Sequence, residues 1–118
     1  MSNDEMLDVL AEWGADVSNA MKSMLDDKQF YRDCLNKLFA DPSFSLLGRQ
    51  LKAGDLDGAF SSAHMLKGIT ATLGLTPISK PIYEIVEILR KRESEGTEDL
   101  YKLISERHKE LGKILSEE

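Results

Sequence analysis

His64 has the most reactive setting in this sequence, because its helical neighbours are small or cationic. It lies in a stretch from about Asp55 to Leu73 whose apolar residues gather on one stripe at about 100° per residue, and it falls on the flank of that stripe. We therefore expect the imidazole to reach solvent. Lys67 at i+3 and Gly68 at i+4 lie one turn further along the same flank. This spacing predicts an approachable nucleophile beside a positive charge.

The chemistry that this setting allows is phosphoryl transfer to His64. An exposed imidazole is largely neutral at cytoplasmic pH, and a neutral ring nitrogen is a nucleophile. If it attacked phosphorus, the ammonium of Lys67 could stabilise the negative charge of the new phosphoryl group. The missing side chain at Gly68 would leave room for the donor. These residue types also fit a histidine that is merely exposed, so the pattern by itself leaves both interpretations open.

Other kinds of site have weaker support in the sequence. Ser61 lies within helical reach of His64, but there is no G-x-S-x-G motif, and a solvated helix face explains the serine. The chain has no Glu-x-x-His pair for a metal and no Gly-Lys-Ser/Thr loop for a nucleotide. His108 has Glu106 and Glu110 at i−2 and i+2, which point to a different side of a helix from His108, so we expect it to be exposed without a special role.

The length and composition of the chain favour one soluble domain over residues 1–118. A chain of 118 residues can bury about two thirds of its unfolded surface around one core. The net charge of −6 disfavours nucleic acid and anionic membranes as partners. No apolar run approaches the roughly 20 residues of a membrane span, and the start does not resemble a signal peptide. The lone Cys34 is therefore expected to be a buried, reduced thiol in a monomeric cytoplasmic protein.

Helical periodicity recurs along the chain and predicts an all-α fold. We expect an up-and-down four-helix bundle formed by the last four helices, with one or two additional short helices at the N-terminus. The apolar face of the third predicted helix, which includes Phe30 and Tyr31, is expected to face the bundle interior. The first five predicted helices run over Asp4–Trp13, Ala15–Leu25, Lys28–Ala40, Pro42–Ala53 and Asp55–Leu73.

Two further helices are predicted near the C-terminus. The first begins at Thr76-Pro77 or at Ser79. Pro81 predicts irregular or kinked chain until about Lys80, because a proline inside a helix loses a backbone hydrogen bond at a cost of about 3 kcal/mol. The last helix begins at Thr97, with acidic residues in its first turn.

The segment around His64 resembles a known family signature. Ala63-His64-Met65-Leu66-Lys67-Gly68, followed by Leu73-Gly74-Leu75, resembles the A-H-x-L-K-G…L-G pattern of histidine-containing phosphotransfer (HPt) domains of two-component phosphorelays. The resemblance covers about Phe30 to Leu89. It implies a four-helix core whose exposed histidine accepts a phosphoryl group from the aspartyl phosphate of a receiver domain and passes it to another receiver.

The resemblance also implies a role for each residue of the motif. By position, His64 would be the phosphoacceptor, Lys67 would stabilise the phosphoryl group, and Gly68 would give the partner access. The partners would be receiver domains of response regulators or of hybrid sensor kinases. The chain itself would supply no cofactor, metal or nucleotide and would not be an autonomous enzyme, since the magnesium of the family belongs to the receiver. A binding module of the same fold that is never phosphorylated is the alternative.

Two features lie outside the family pattern. Pro81 stands where the family usually has an apolar helical residue, and Val86 stands between Glu84 and Glu87 where an acidic residue is often found. The extra N-terminal helix, Asp4–Trp13, either covers one end of the bundle or contributes to the docking surface for receivers. The sequence leaves both of these roles open.

Overall fold

Residues 1–116, the part of the chain that the computed structural model describes, form seven α-helices and no strand. Each predicted helix is present, with its ends within a few residues of the predicted ones. The helices are α1 Asn3–Trp13, α2 Val17–Ser23, α3 Lys28–Phe39, α4 Ser43–Lys52, α5 Leu56–Thr72, α6 Thr76–Arg90 and α7 Thr97–Ser116.

Local side-chain chemistry explains where several helices begin. Ser2 forms a capping box at the start of α1, and Gly14 ends that helix with a φ of 112°. Asp16, Asp27 and Asp55 precede α2, α3 and α5, and each carboxylate accepts a hydrogen bond from the backbone amide three residues on. Such caps satisfy amides that the helices themselves leave unpaired.

Helices α4 to α7 form the four-helix bundle that the sequence predicts. Contacts join α4 with α5, α5 with α6, α6 with α7, and α7 with α4, so the four helices close around one core. α3 extends the side formed by α4, because Phe39 of α3 and Phe44 of α4 pack on the same ring of His108 in α7. α1 packs on α3 and α7, where Met6 and Leu10 are fully buried.

Two glycines allow α4 and α3 to approach α7 closely. A Cβ atom at Gly48 of α4 would lie 2.5 Å from the ring of Tyr101. The hydroxyl of Tyr101 donates a hydrogen bond to the carbonyl of Phe44 at 2.8 Å, which holds the ring in place. A Cβ atom at Gly112 of α7 would lie 2.6 Å from the ring of Phe39. These contacts fix the side of the bundle formed by α3 and α4.

Pro81 lies inside α6, so the irregular chain expected before Lys80 is wrong. The helix runs from Thr76 to Arg90, and Pro81 itself is buried. Proline inside a helix costs about 3 kcal/mol, because it removes a backbone hydrogen bond and its ring crowds the preceding turn. Ile78 and Ile82 are fully buried on the same helix, and each contributes roughly 1.5–3 kcal/mol. Burial of this apolar face therefore offsets the lost bond.

His108 is half-buried, so its expected exposure is also wrong. Its ring stacks on Phe39 with 4.5 Å between centroids and contacts the ring of Phe44 at 4.4 Å. Its Nε2 lies 2.9 Å from the carbonyl oxygen of Phe39, the last residue of α3. The imidazole therefore pairs with a carbonyl group at the C-terminal end of α3, where the helix itself leaves carbonyl acceptors unpaired.

Two residues of α3 lie further from the core than the sequence suggested. Phe30 is 52% exposed, whereas the adjacent Tyr31 is fully buried. Cys34 is half-buried and packs against the edge of the core. α3 packs on α1, α2 and α7, and this arrangement buries a narrower face than its apolar pattern predicted.

We expect Tyr31→Phe to destabilise the fold in a pH-dependent way. The Tyr31 hydroxyl donates a hydrogen bond to the carbonyl of Leu73 at 2.7 Å. Its loss leaves a buried acceptor unpaired and should lower the free energy of unfolding by about 1–3 kcal/mol at neutral pH. Burial, together with the nearby Asp16 carboxylate, raises the pKa of Tyr31 from 10.0 to about 12.

A group whose pKa rises on folding adds stability that is complete below its unfolded pKa and disappears as the pH passes its folded pKa. The advantage of the wild-type chain over Tyr31→Phe should therefore shrink between pH 10 and about 12. Urea unfolding across this range measures the difference, and a difference that stays constant would contradict the raised pKa of the buried Tyr31 hydroxyl.

Candidate functional site

The candidate site lies at the middle of α5, where the helix turns one face to the core and another to solvent. Ala59, Ala63 and Leu66 are fully buried. His64 and Gly68 are exposed on the opposite side. The exposure of the imidazole, expected from its place on the flank of the apolar stripe, is confirmed.

The imidazole of His64 makes one aromatic contact. The ring of Phe60, one turn earlier, lies 5.7 Å away between centroids, with a tilt of 39°. Within residues 1–116, no side chain or backbone group forms a hydrogen bond with either ring nitrogen of His64. Its nitrogens therefore remain accessible to an incoming electrophile, and Phe60 supports one side of the ring.

Aromatic rings and cations alternate on the side of His64 that faces α6. The Nζ of Lys67 lies 5.3 Å from the centroid of the Tyr83 ring, and the guanidinium carbon of Arg90 lies 5.4 Å from that of Phe60. Arg90 also approaches the carboxylate of Glu87, with 3.6 Å from Nε to Oε1. We call Phe60, Lys67, Tyr83 and Arg90 the cation–aromatic flank. It places two cationic side chains on the α6 side of the exposed face of α5.

Gly68 leaves the backbone of α5 uncovered one turn beyond His64. A Cβ atom built at this position would meet nothing within 4 Å. Glycine inside a helix costs about 0.8–1.0 kcal/mol relative to alanine. The fold gives no steric reason to accept that cost, in contrast to Gly48 and Gly112. Close approach of a partner's surface to α5 would explain why a glycine stands at this position.

A groove of about 670 Å³ lies on the other side of His64, between α3 and α5. α4 packs along α5 on this side, whereas α3 packs mainly on α1, α2 and α7. His64 and Gly68 line the wall formed by α5. The charged residues Lys37 and Asp41 also line the groove. The apolar lining consists of Met24, Cys34, Leu38, Met65, Ile69 and Leu73. We call this feature the α3–α5 groove.

The structure thus brings His64, Lys67 and Gly68 to one exposed region, although they occupy different flanks of it. The sequence reasoning missed Tyr83 and Arg90. Their spacing of seven residues puts them on one face of α6, which is a detectable signal, but the sequence did not show that this face lies beside α5. Within residues 1–116, no residue of α1 lines the α3–α5 groove, which favours a covering role for α1.

Two further properties of the described part bear on its chemistry. Among residues 1–116, no three His, Cys, Asp or Glu side chains lie together in a way that would hold a metal ion. Each helix in the same range is too short or too polar to span a bilayer.

Comparison with known proteins gives one family. The family model of the Hpt domain matches residues 5–114, which is nearly the full length of the chain and includes parts of all seven helices. No curated protein and no solved structure matches the chain significantly. The match therefore includes the exposed histidine, the cation–aromatic flank and the α3–α5 groove.

We expect alanine at two glycines to change stability in opposite directions. Gly68→Ala should raise the free energy of unfolding by about 1 kcal/mol, because alanine favours the helix and its methyl group meets nothing. Gly112→Ala should lower it by about 1 kcal/mol, because overpacking against Phe39 outweighs the same helix preference. Urea unfolding of both variants gives the comparison. Destabilisation by Gly68→Ala would show that the fold itself requires this glycine.

Proposed function

Since the chain belongs to the Hpt domain family, we propose that it is a phosphocarrier that holds a phosphoryl group on His64 between two receiver domains. Histidine phosphotransfer in phosphorelays is the role of this family, whose members are carriers that interact with receiver domains. The cytoplasmic location and monomeric state expected from the sequence belong to the same proposal.

The transfer needs one nucleophile from this chain. An unprotonated ring nitrogen of His64 attacks the phosphorus of a receiver aspartyl phosphate. The new N–P bond forms as the P–O bond breaks, and the electron pair leaves on the aspartate carboxylate. The reverse reaction with a second receiver returns the imidazole to its starting form. No acid or base from this chain is required, which agrees with the free ring nitrogens of His64.

The observation that carries the proposal is the pairing of an exposed His64 with an uncovered Gly68 one turn away. In-line attack requires the donor's phosphorus to come within about 3–3.5 Å of the nitrogen. The receiver's loops must therefore approach the surface of α5 closely. The absent side chain at Gly68 supports such an approach and explains why the helix accepts a residue that weakens it.

Charge near the acceptor supports the same role. A phosphoryl group on His64 would carry negative charge, and Lys67 lies one turn away on the same helix. Its half-buried stem limits the directions that the ammonium can take. We propose Lys67 as the residue that stabilises the phosphorylated state.

The α3–α5 groove is the surface that we propose for receiver docking. Its lining is mainly apolar and includes two methionines, whose flexible side chains can repack against different partners. Lys37 and Asp41 add one charge of each sign. A carrier must bind a donor and an acceptor at one site, and an adaptable apolar groove beside the histidine suits that requirement.

We expect His64→Gln to abolish labelling by a phosphorylated receiver domain. The label on the wild-type chain should be acid-labile and base-stable, as expected for phosphohistidine. His108→Gln is the matched control, because His108 is half-buried with Nε2 at the Phe39 carbonyl, and it should keep the label if circular dichroism shows a folded chain. Label that persists in His64→Gln would overturn the assignment. An unlabelled wild-type chain that still binds the receiver would favour the binding-module alternative.

We expect Gly68→Gln to separate partner access from the reactivity of His64. A side chain at this position should slow transfer from a receiver by about tenfold or more, because it separates the two surfaces. Chemical labelling by the small donor phosphoramidate should change little. Ala11→Gln, at an exposed position of α1, is the matched control and should affect neither reaction. Equal slowing of both reactions by Gly68→Gln would contradict the access role.

A further inference from the structure

Tyr83 is exposed on α6 without an evident role in the fold. Its side chain is 54% exposed. Within residues 1–116, its hydroxyl takes part in no side-chain hydrogen bond. The ring instead lies 5.3 Å from the ammonium of Lys67, which is within cation–π distance. Among the same residues, Lys67 forms no ion pair with a carboxylate. The specific contact of this ammonium is therefore an aromatic face.

The helical geometry places Tyr83 and His64 on opposite sides of Lys67. Phe60 and Lys67 are seven residues apart, so they lie within about 20° of each other around α5. Both contact residues of α6, since Phe60 meets Arg90 and Lys67 meets Tyr83. His64 is turned about 60° from Lys67, toward solvent and Gly68. An ammonium that rests on Tyr83 is therefore held on the side of Lys67 away from the imidazole.

We propose that Tyr83 holds the Lys67 ammonium while His64 is unphosphorylated and releases it to the phosphoryl group when His64 is phosphorylated. This inference rests on the proposed function of His64 and deepens it. An ammonium–phosphoryl contact is charge-assisted and stronger than a cation–π contact at an exposed site. Phosphorylation is thus sufficient to move the lysine. The phosphorylated state must nevertheless compete with the ring for the same cation.

This competition would set the stability of phosphorylated His64 relative to the unphosphorylated chain. Each phosphorylation breaks the contact between Lys67 and Tyr83, and each transfer to a receiver restores it. Tyr83 therefore favours the unphosphorylated chain and makes His64 a better donor. It acts as a positioning residue for Lys67 and does not touch the reacting atoms.

The test is the equilibrium between the isolated chain and phosphoimidazole in excess imidazole. A ring nitrogen of His64 attacks phosphorus, the N–P bond to imidazole breaks, and free imidazole leaves, so one N–P bond replaces another without any receiver. Tyr83→Leu should raise the equilibrium phosphorylation constant about two- to fivefold, because it removes the competing contact. Tyr83→Phe keeps the aromatic face and should remain close to the wild type.

A Lys67→Met background provides the matched control. If Tyr83 acts through Lys67, Tyr83→Leu should leave the equilibrium constant of the Lys67→Met chain unchanged. NMR supplies an independent readout, because the ε-methylene protons of Lys67 should show an upfield ring-current shift. That shift should disappear in Tyr83→Leu and also when wild-type His64 is phosphorylated.

Several outcomes would overturn the inference while the proposed function stands. They are a constant that Tyr83→Leu leaves unchanged or lowers, an equal effect in the Lys67→Met background, or a ring-current shift that survives phosphorylation. An effect of Tyr83→Leu on transfer from a receiver alone would instead assign Tyr83 to docking and would also overturn it. Absence of any label on His64, from either phosphoimidazole or a receiver, would refute the proposed function itself.

Discussion

The rotational setting of α5 is the constraint on which the whole site depends. Ala59, Ala63 and Leu66 are fully buried against the bundle, and so is Thr70, whose hydroxyl donates to the carbonyl of Leu66 at 2.7 Å. This polar group therefore enters the core without an unpaired hydrogen bond. Because the buried face of α5 is fixed, the helical repeat of about 3.6 residues per turn also fixes the side of the helix on which His64 lies. Exposure of the imidazole follows from the packing of residues that never touch it.

The two neighbours of α5 give the exposed face two different sides. α6 packs closely along α5, so cations of both helices come to rest on aromatic rings. On the other side, α4 packs on α5, whereas α3 packs mainly on α1, α2 and α7. The α3–α5 groove lies on this side of α5, and Asp41, just after α3, lines it. The exposed face of α5 thus has cationic side chains on its α6 side and a mainly apolar groove on its α3 side.

The sequence predicted the parts of this arrangement that depend on local periodicity. The helices and the exposed flank of α5 follow from side chains within one or two turns of each other. Pro81, Phe30 and His108 were misjudged because their surroundings come from distant parts of the chain. Burial of isoleucines around Pro81 outweighs its missing donor, and two phenylalanines from α3 and α4 enclose His108. The roles of His64, Lys67 and Gly68 stay predictions, since geometry alone does not show a reaction.

Under the proposed function, an exposed phosphoacceptor would raise a physical difficulty that the cation–aromatic flank could address. A carrier must keep its histidine uncovered for two partners, so it cannot enclose the phosphoryl group within a closed pocket. A lysine that moved freely in water would lose conformational entropy each time it engaged the phosphoryl group. A lysine already restricted by an aromatic face loses less, but it must also give up that contact. The two effects have opposite signs, so their net contribution to the free energy of phosphorylation would be small, which would suit a reaction that runs in both directions.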